Sequence, residues 1–144
     1  MKARVKLIEG AAFISHADSG HALVIDGSEK IGGRNLGPRP MELVLQGLAG
    51  CSAMDVISML RTMRQQVTDL DIQVEAERAD EFPKVFTRIH LRYIVTGIDL
   101  KPGRVERAVE MSAEKYCSVS AMLASTATIT HEIELRAAEA LAEA

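Results

Sequence analysis

Two cysteines, no tryptophan, two tyrosines and three phenylalanines are all that the 144-residue chain offers of the side chains that most often announce a chemistry. This scarcity excludes several classes of protein. Two thiols cannot make the framework of a small disulfide-built scaffold, and a chain of 144 residues buries roughly two-thirds of its unfolded surface without a covalent staple. With aromatics at 3%, little is available to stack on bases or flat cofactors. Seventeen Lys and Arg against twenty Asp and Glu give a net charge of −3, so no basic surface dominates and nucleic acid is not an expected partner. The N-terminal MKARVKLIEGAAF interleaves charge with apolar residues and lacks a signal peptide's apolar core, which predicts a cytoplasmic protein whose thiols rest reduced. One long apolar run exists, residues 43–60. Gln46 and Asp55 lie inside it and Glu42 and Arg61 flank it, so it predicts a buried helix rather than a membrane span.

The remaining pattern is that of an α+β protein. Alternating apolar residues predict strands at Arg4–Ile8, Ala11–Ser15 and His21–Asp26, separated by glycine-containing turns and arranged as an antiparallel meander. IGGRNLGPRP, residues 31–40, carries three Gly and two Pro and predicts a loop, with Pro40 suited to the first turn of a helix. From Met41 to about Gln65 the apolar positions cover several sides of a helix, up to a basic end at Arg61–Arg64. Strands are expected at Asp71–Glu77 and Val85–Val95, then a helix from Lys101-Pro102-Gly103 to about Tyr116. Cys117 ends that helix, and Ser118 can cap a short piece over Val119–Ala124. Thr126–Leu135 reads as the last strand, and the tail, residues 137–144, as a weak helix or frayed end. No repeat, low-complexity stretch or linker interrupts the chain, which predicts one domain over residues 1–144 with an antiparallel sheet.

Chemistry rests on the cysteines. Cys51, in LAGCSAMDV, and Cys117, in EKYCSVSAML, stand in similar apolar, helix-patterned settings 66 positions apart. Such a pair can act in redox, one thiol attacking an oxidant and the other closing a disulfide. Free cysteine also commonly only fills space in a core. A thiol of ordinary pKa is ionised to a few per cent at neutral pH, so a peroxide-reducing cysteine needs a stabilised thiolate. Cys51 is too far into its helix for the dipole to act, and Asp55, one turn on along the same face, opposes ionisation. Arg34 or Arg39 must then supply positive charge, with Glu42 able to hold the arginine, although Arg39 and Glu42 could equally be an exposed capping pair. Cys117 would gain amide N–H groups if a helix starts at Ser118, with Lys115 nearby, so the pattern leaves open which sulfur attacks first.

Other chemistries find little support. His16, His21, His90 and His131 fall in or beside strands, with no i, i+4 pair and no cysteine at ligand spacing, so neither zinc nor another metal is expected. No glycine-rich elbow or oxyanion motif stands by either cysteine to suggest a Cys–His hydrolase. GGRNLG lacks both a Walker lysine and GxGxxG spacing, and no cofactor is expected.

GPRPMELVLQGLAGCSAMDVISML (residues 37–60), KYCSVSAML (115–123) and TATITHEIEL together resemble the OsmC family of osmotically inducible and organic hydroperoxide resistance (Ohr) proteins. PMEL, CSAMDV, VTGIDL (95–100) and EKYCSVS are most similar to its YhfA-like branch. The resemblance implies an OsmC-like fold, an intertwined homodimer with sheets wrapped around long central cysteine helices. It implies a thiol peroxidase in which Cys51 attacks a hydroperoxide, Cys117 resolves the sulfenic acid as a disulfide, and a dithiol of lipoyl-protein or thioredoxin type restores both. In the Ohr and OsmC branches a glutamate directly after the motif proline holds an activating arginine from an early loop. Here that position is Met41, the nearest carboxylate is Glu42, and Ala11–Gly20 contains no arginine, leaving Arg34 or Arg39. The alternative is a non-catalytic relative that binds a small apolar or electrophilic ligand at the dimer interface, or that senses redox state.

Overall fold

A computed structural model describes residues 1–139. The chain divides into two compact units, Met1–Gln46 and the remainder from Gly47, and the long helix α1 (Pro40–Thr62) runs from the first into the second.

The first unit is built on strands β1 (Ala3–Glu9), β2 (Ala12–Ala17) and β3 (Ala22–Ile25), paired antiparallel in sequence order as the alternation predicts. The glycine-rich segment that follows is a loop, as expected, and it is organised by Asp26. This carboxylate is 1% exposed and accepts the backbone N–H groups of Gly27 (2.7 Å), Arg34 (3.0 Å) and Leu36 (3.1 Å). Donation by Leu36, with the amides of Arg34 and Gly27 and the Arg39 charge, outweighs burial and holds the carboxyl below its ordinary range. Two glycines let the loop close on itself: a Cβ on Gly33 would stand 1.9 Å from the Gly27 carbonyl oxygen, and one on Gly37 would stand 2.1 Å from that of Val24.

Helix α1 starts at Pro40, in the first turn as expected, where its missing N–H costs nothing. The Arg39 carbonyl accepts the first helical bond from Leu43, and the Glu42 carboxylate reaches back to the Arg39 N–H at 2.8 Å, half of a capping box. The helix ends at Thr62 rather than about Gln65. Arg64 takes a left-handed conformation (φ 56°), and the paired bonds Arg64 N–H to Arg61 and Gln65 N–H to Leu60 close a Schellman turn. No glycine marks this stop, so the pattern could not show it.

In the second unit, β4 (Gln66–Arg78), β5 (Phe86–Ile98) and β6 (Thr128–Ala137) form a sheet in that order. β4 and β5 pair antiparallel, but β5 and β6 are parallel, which departs from the all-antiparallel expectation. The segment between them, α2 (Pro102–Met111), a π-helical turn (Ser112–Tyr116) and α3 (Ser118–Leu123), is the crossover that a parallel pair requires. The expected single helix to Tyr116 is thus α2 followed by a change of helical type. β5 is central and carries much of the core, with Ile89, Leu91, Tyr93 and Val95 at most 3% exposed; Leu48, Val56 and Leu60 of α1 and Val105, Ala108 and Val109 of α2 are also buried. β6 runs to Ala137, so the tail expected as a weak helix or frayed end begins with a strand residue; residues 140–144 lie outside the described range.

Candidate functional site

Cys51 and Cys117 come together. The two sulfurs and a carboxylate oxygen of Asp55 all lie within 4.8 Å of one another, and both thiols are free. Each arrives for a local reason. Cys51 and Asp55 are four residues apart on α1, so one helix face carries both. Cys117 leaves the π-helical turn in an extended conformation (φ −72°, ψ 101°), and its sulfur accepts the Ser120 N–H at 3.4 Å, capping α3. The cap is therefore Cys117 itself, not Ser118, and an amide does face its sulfur as the helix start implied.

That amide does not make Cys117 a ready thiolate. The residue is 3% exposed, and burial, aided by its contact with Cys51 and by the Asp55 charge, outweighs the Ser120 donation and pushes the thiol up to about 11. Cys51 is half-buried. The two sulfurs are thus unequal in access, and burial favours the protonated form of Cys117.

A polar chain below the thiols was not anticipated from the sequence. Tyr93 Oη lies 2.6 Å from Ser52 Oγ, which is 3.1 Å from Ser112 Oγ, and Ser112 donates to Asp55 Oδ2 at 3.0 Å. Ser52, Tyr93 and Ser112 are each at most 2% exposed. An ionised carboxylate only accepts, so the chain has one direction: Ser112 spends its proton on Asp55, Ser52 donates to Ser112, and Tyr93 donates to Ser52. Its far end is locked in turn, since burial, the largest influence, raises the Tyr93 phenol above its ordinary range. Asp55 is thereby fixed beside the sulfurs. A cleft of about 250 Å³ opens next to Cys117, bordered by Leu48, Ser52, Leu91, Tyr93, Ile129 and His131, with the His131 ring edge-on to Tyr93 at 6.1 Å between centroids.

The other residues expected to support the thiols, Arg34, Arg39 and Glu42, belong to the first unit. The Arg39 guanidinium donates to the carbonyl oxygens of Gly37 (3.0 Å) and Asp26 (3.4 Å), while Glu42 is the helix cap described above. Arg34 pairs with Glu9. No metal was expected; the donor atoms of Cys51, Asp55 and Cys117 lie close enough together to hold one, and none of the four histidines joins that group.

A paired dithiol, with one sulfur midway along a long helix and the other capping a crossover helix, in an α+β frame of two three-stranded sheets, defines a class, and comparison with known proteins identifies it. The profile of the OsmC-like protein family matches residues 32–132, and the chain belongs to that family. Among individual relatives, it is 48% identical to Protein YhfA of Escherichia coli strain K12 over 138 residues, covering 96% of this chain and 100% of that one. Among solved structures it is similar to a hypothetical protein from Aquifex aeolicus (TM-score 0.84, 30% identity, 96% and 97% of the two chains covered). It also shares the fold of an organic hydroperoxide resistance protein OsmC from Legionella pneumophila (TM-score 0.69, 18% identity, 93% and 97% covered).

Proposed function

We infer that the chain is a thiol-dependent hydroperoxide reductase that works through Cys51 and Cys117. The observation that carries this reading is the pair of free sulfurs within 4.8 Å of each other, one half-buried and one enclosed. Disulfide closure needs little more than a rotamer change at that separation. Cys51, the more accessible thiol, attacks the terminal peroxide oxygen; the O–O bond breaks, the alcohol leaves, and Cys51 becomes a sulfenic acid. Cys117 then attacks the Cys51 sulfur, water departs, and a disulfide forms. Asp55, fixed by Ser112, stands where it can take the Cys117 proton in that second step. A dithiol of lipoyl-protein or thioredoxin type returns both thiols, which suits a reducing cytoplasm.

The working form under this reading is a homodimer. Apolar side chains that a single chain leaves uncovered support it: Val5, Leu7 and Ile8 on β1 are each more than 50% exposed, and Met54 on α1 is 73% exposed. The cleft beside Cys117 favours a second reading, in which a relative without turnover binds a small apolar or electrophilic ligand there.

One experiment separates the two. Reduced protein receives one equivalent of an organic hydroperoxide, thiols are trapped at short times, and intact mass and peptide maps are recorded. A Cys51–Cys117 disulfide within seconds, reversed by a dithiol, is the expected result, with Cys51→Ser inert and Cys117→Ser halted at a sulfenic acid. Unchanged peroxide consumption by Cys51→Ser, or no thiol loss in the unaltered protein, overturns it and leaves ligand binding.

A further inference from the structure

We propose that the reduced protein binds one zinc ion through Cys51, Asp55 and Cys117. The three donor atoms already lie within 4.8 Å of one another. Tetrahedral zinc, with bonds of about 2.3 Å to sulfur and about 2.1 Å to oxygen, sets its ligand atoms roughly 3.6–3.8 Å apart. The trio is therefore at most about an ångström too open, a movement that side-chain rotation supplies.

Donor chemistry selects the ion. Two thiolates and one carboxylate carry three negative charges against two positive ones, and thiolates favour zinc over magnesium or calcium, which take oxygen ligands. Three protein ligands leave a fourth position for water or an exogenous donor, the ligand count of open zinc sites.

The supports around the donors also fit. Metal-binding side chains are commonly oriented by hydrogen bonds from a surrounding shell. Here the Ser112 hydroxyl fixes Asp55 at 3.0 Å, with Ser52 and Tyr93 behind it, and the Ser120 amide fixes the Cys117 sulfur at 3.4 Å. Cys51 and Asp55 are held in register by α1 itself. Such a site evades recognition by spacing, because it contains no histidine and its second cysteine lies 66 positions from the first.

The inference requires adjacent reduced thiols but no peroxide turnover, so it stands or falls separately from the proposed reductase. A disulfide between Cys51 and Cys117 would remove two of the three ligands, which makes metal and disulfide alternative occupants of one place.

The test uses the full chain, reduced and stripped of metal under inert gas, with cobalt(II) as a spectroscopic probe. The expected result is uptake of one equivalent, with a thiolate-to-cobalt charge-transfer band and the intense visible bands of a tetrahedral site, displaced one for one by zinc. Cys51→Ser and Cys117→Ser should each abolish the charge-transfer pattern of two thiolates. Asp55→Asn should retain that pattern but weaken zinc binding by about tenfold or more, and Ser112→Ala, which keeps all three ligands, by about tenfold. Circular dichroism of each variant checks that the fold is intact. No cobalt–thiolate band in the unaltered protein overturns the proposal, as does uptake unaffected by Cys51→Ser, which would place the metal elsewhere. Unchanged affinity in both Asp55→Asn and Ser112→Ala overturns the three-ligand site.

Discussion

Tyr93→Phe and Ser52→Ala delete the same hydrogen bond, yet the direction of the buried chain makes their costs unequal. Removing the phenol hydroxyl takes away a donor at the head of the chain. Ser52 still donates to Ser112, Ser112 still donates to Asp55, and no buried proton loses its acceptor. The loss is then that of one ordinary hydrogen bond, about 1 kcal/mol. Ser52→Ala instead strands the Tyr93 O–H, in a side chain 2% exposed and with no other hydrogen-bond partner among the described residues, and takes from Ser112 the donor it accepts from. A buried donor left unsatisfied adds about 1–3 kcal/mol to the bond lost, so Ser52→Ala should cost about 2–4 kcal/mol in all. Combining the two changes removes the stranded hydroxyl and loses the shared bond only once, and the double variant should be less destabilised than the sum of the single ones by about 2–4 kcal/mol. Urea unfolding of all four proteins, reduced, with chelator and at one protein concentration, measures each value. Tyr93→Phe as damaging as Ser52→Ala, or strict additivity in the double variant, would refute the assigned direction of the chain.

Two further predictions concern the first unit. Gly33→Ala and Gly37→Ala, whose new methyl groups would meet backbone carbonyls at 1.9 and 2.1 Å, should each destabilise the protein by about 2 kcal/mol or more in urea unfolding, against no loss for Gly103→Ala, at an exposed position of α2 with nothing within 4 Å. Asp26 should add an acid-sensitive component to stability: its folded-state carboxyl is lowered from 3.8, so its contribution is complete above that value and is lost as pH falls through the lower folded one. Stability measured from pH 6 downward should therefore decline less steeply in Asp26→Asn, and an unchanged slope would count against the loop-pinning role.

The parts of the fold legible in the sequence are those written in local period. Alternation and short apolar runs located the six strands of the described residues, though β4 starts five residues before the expected Asp71, and the apolar surface of residues 43–60 located α1. Alternation is blind to strand direction, since parallel and antiparallel partners present the same faces; the parallel β5–β6 pair follows from the crossover between them and not from either strand's pattern. The stop of α1 was hidden because Arg64 adopts a conformation usually taken by glycine. Asp26 looked like the end of a strand, and nothing in HALVID shows that three amides of a later loop converge on it.

At the site, the limit is one of distance along the chain. Cys51 and Asp55 share a helix face by spacing alone, whereas their meeting with Cys117 was implied only by family resemblance, and the Ser52, Tyr93 and Ser112 hydroxyls are joined across 41 and 60 positions. Electrostatics shows why local signals mislead even when they are read correctly. The helix start after Cys117 does supply an amide to its sulfur, as the sequence suggested, and taken alone that would lower the pKa. Burial acts on the same sulfur in the opposite sense and is the larger influence, so the thiol rises from 9.0 to about 11. Such a shift leaves Cys117 with about a hundredth of the thiolate it would otherwise have at neutral pH. Under the proposed reductase reading, the order of the two chemical steps is therefore set by enclosure rather than by the cap: the sulfur that carries the better local signal is the one that waits for the other to be oxidised.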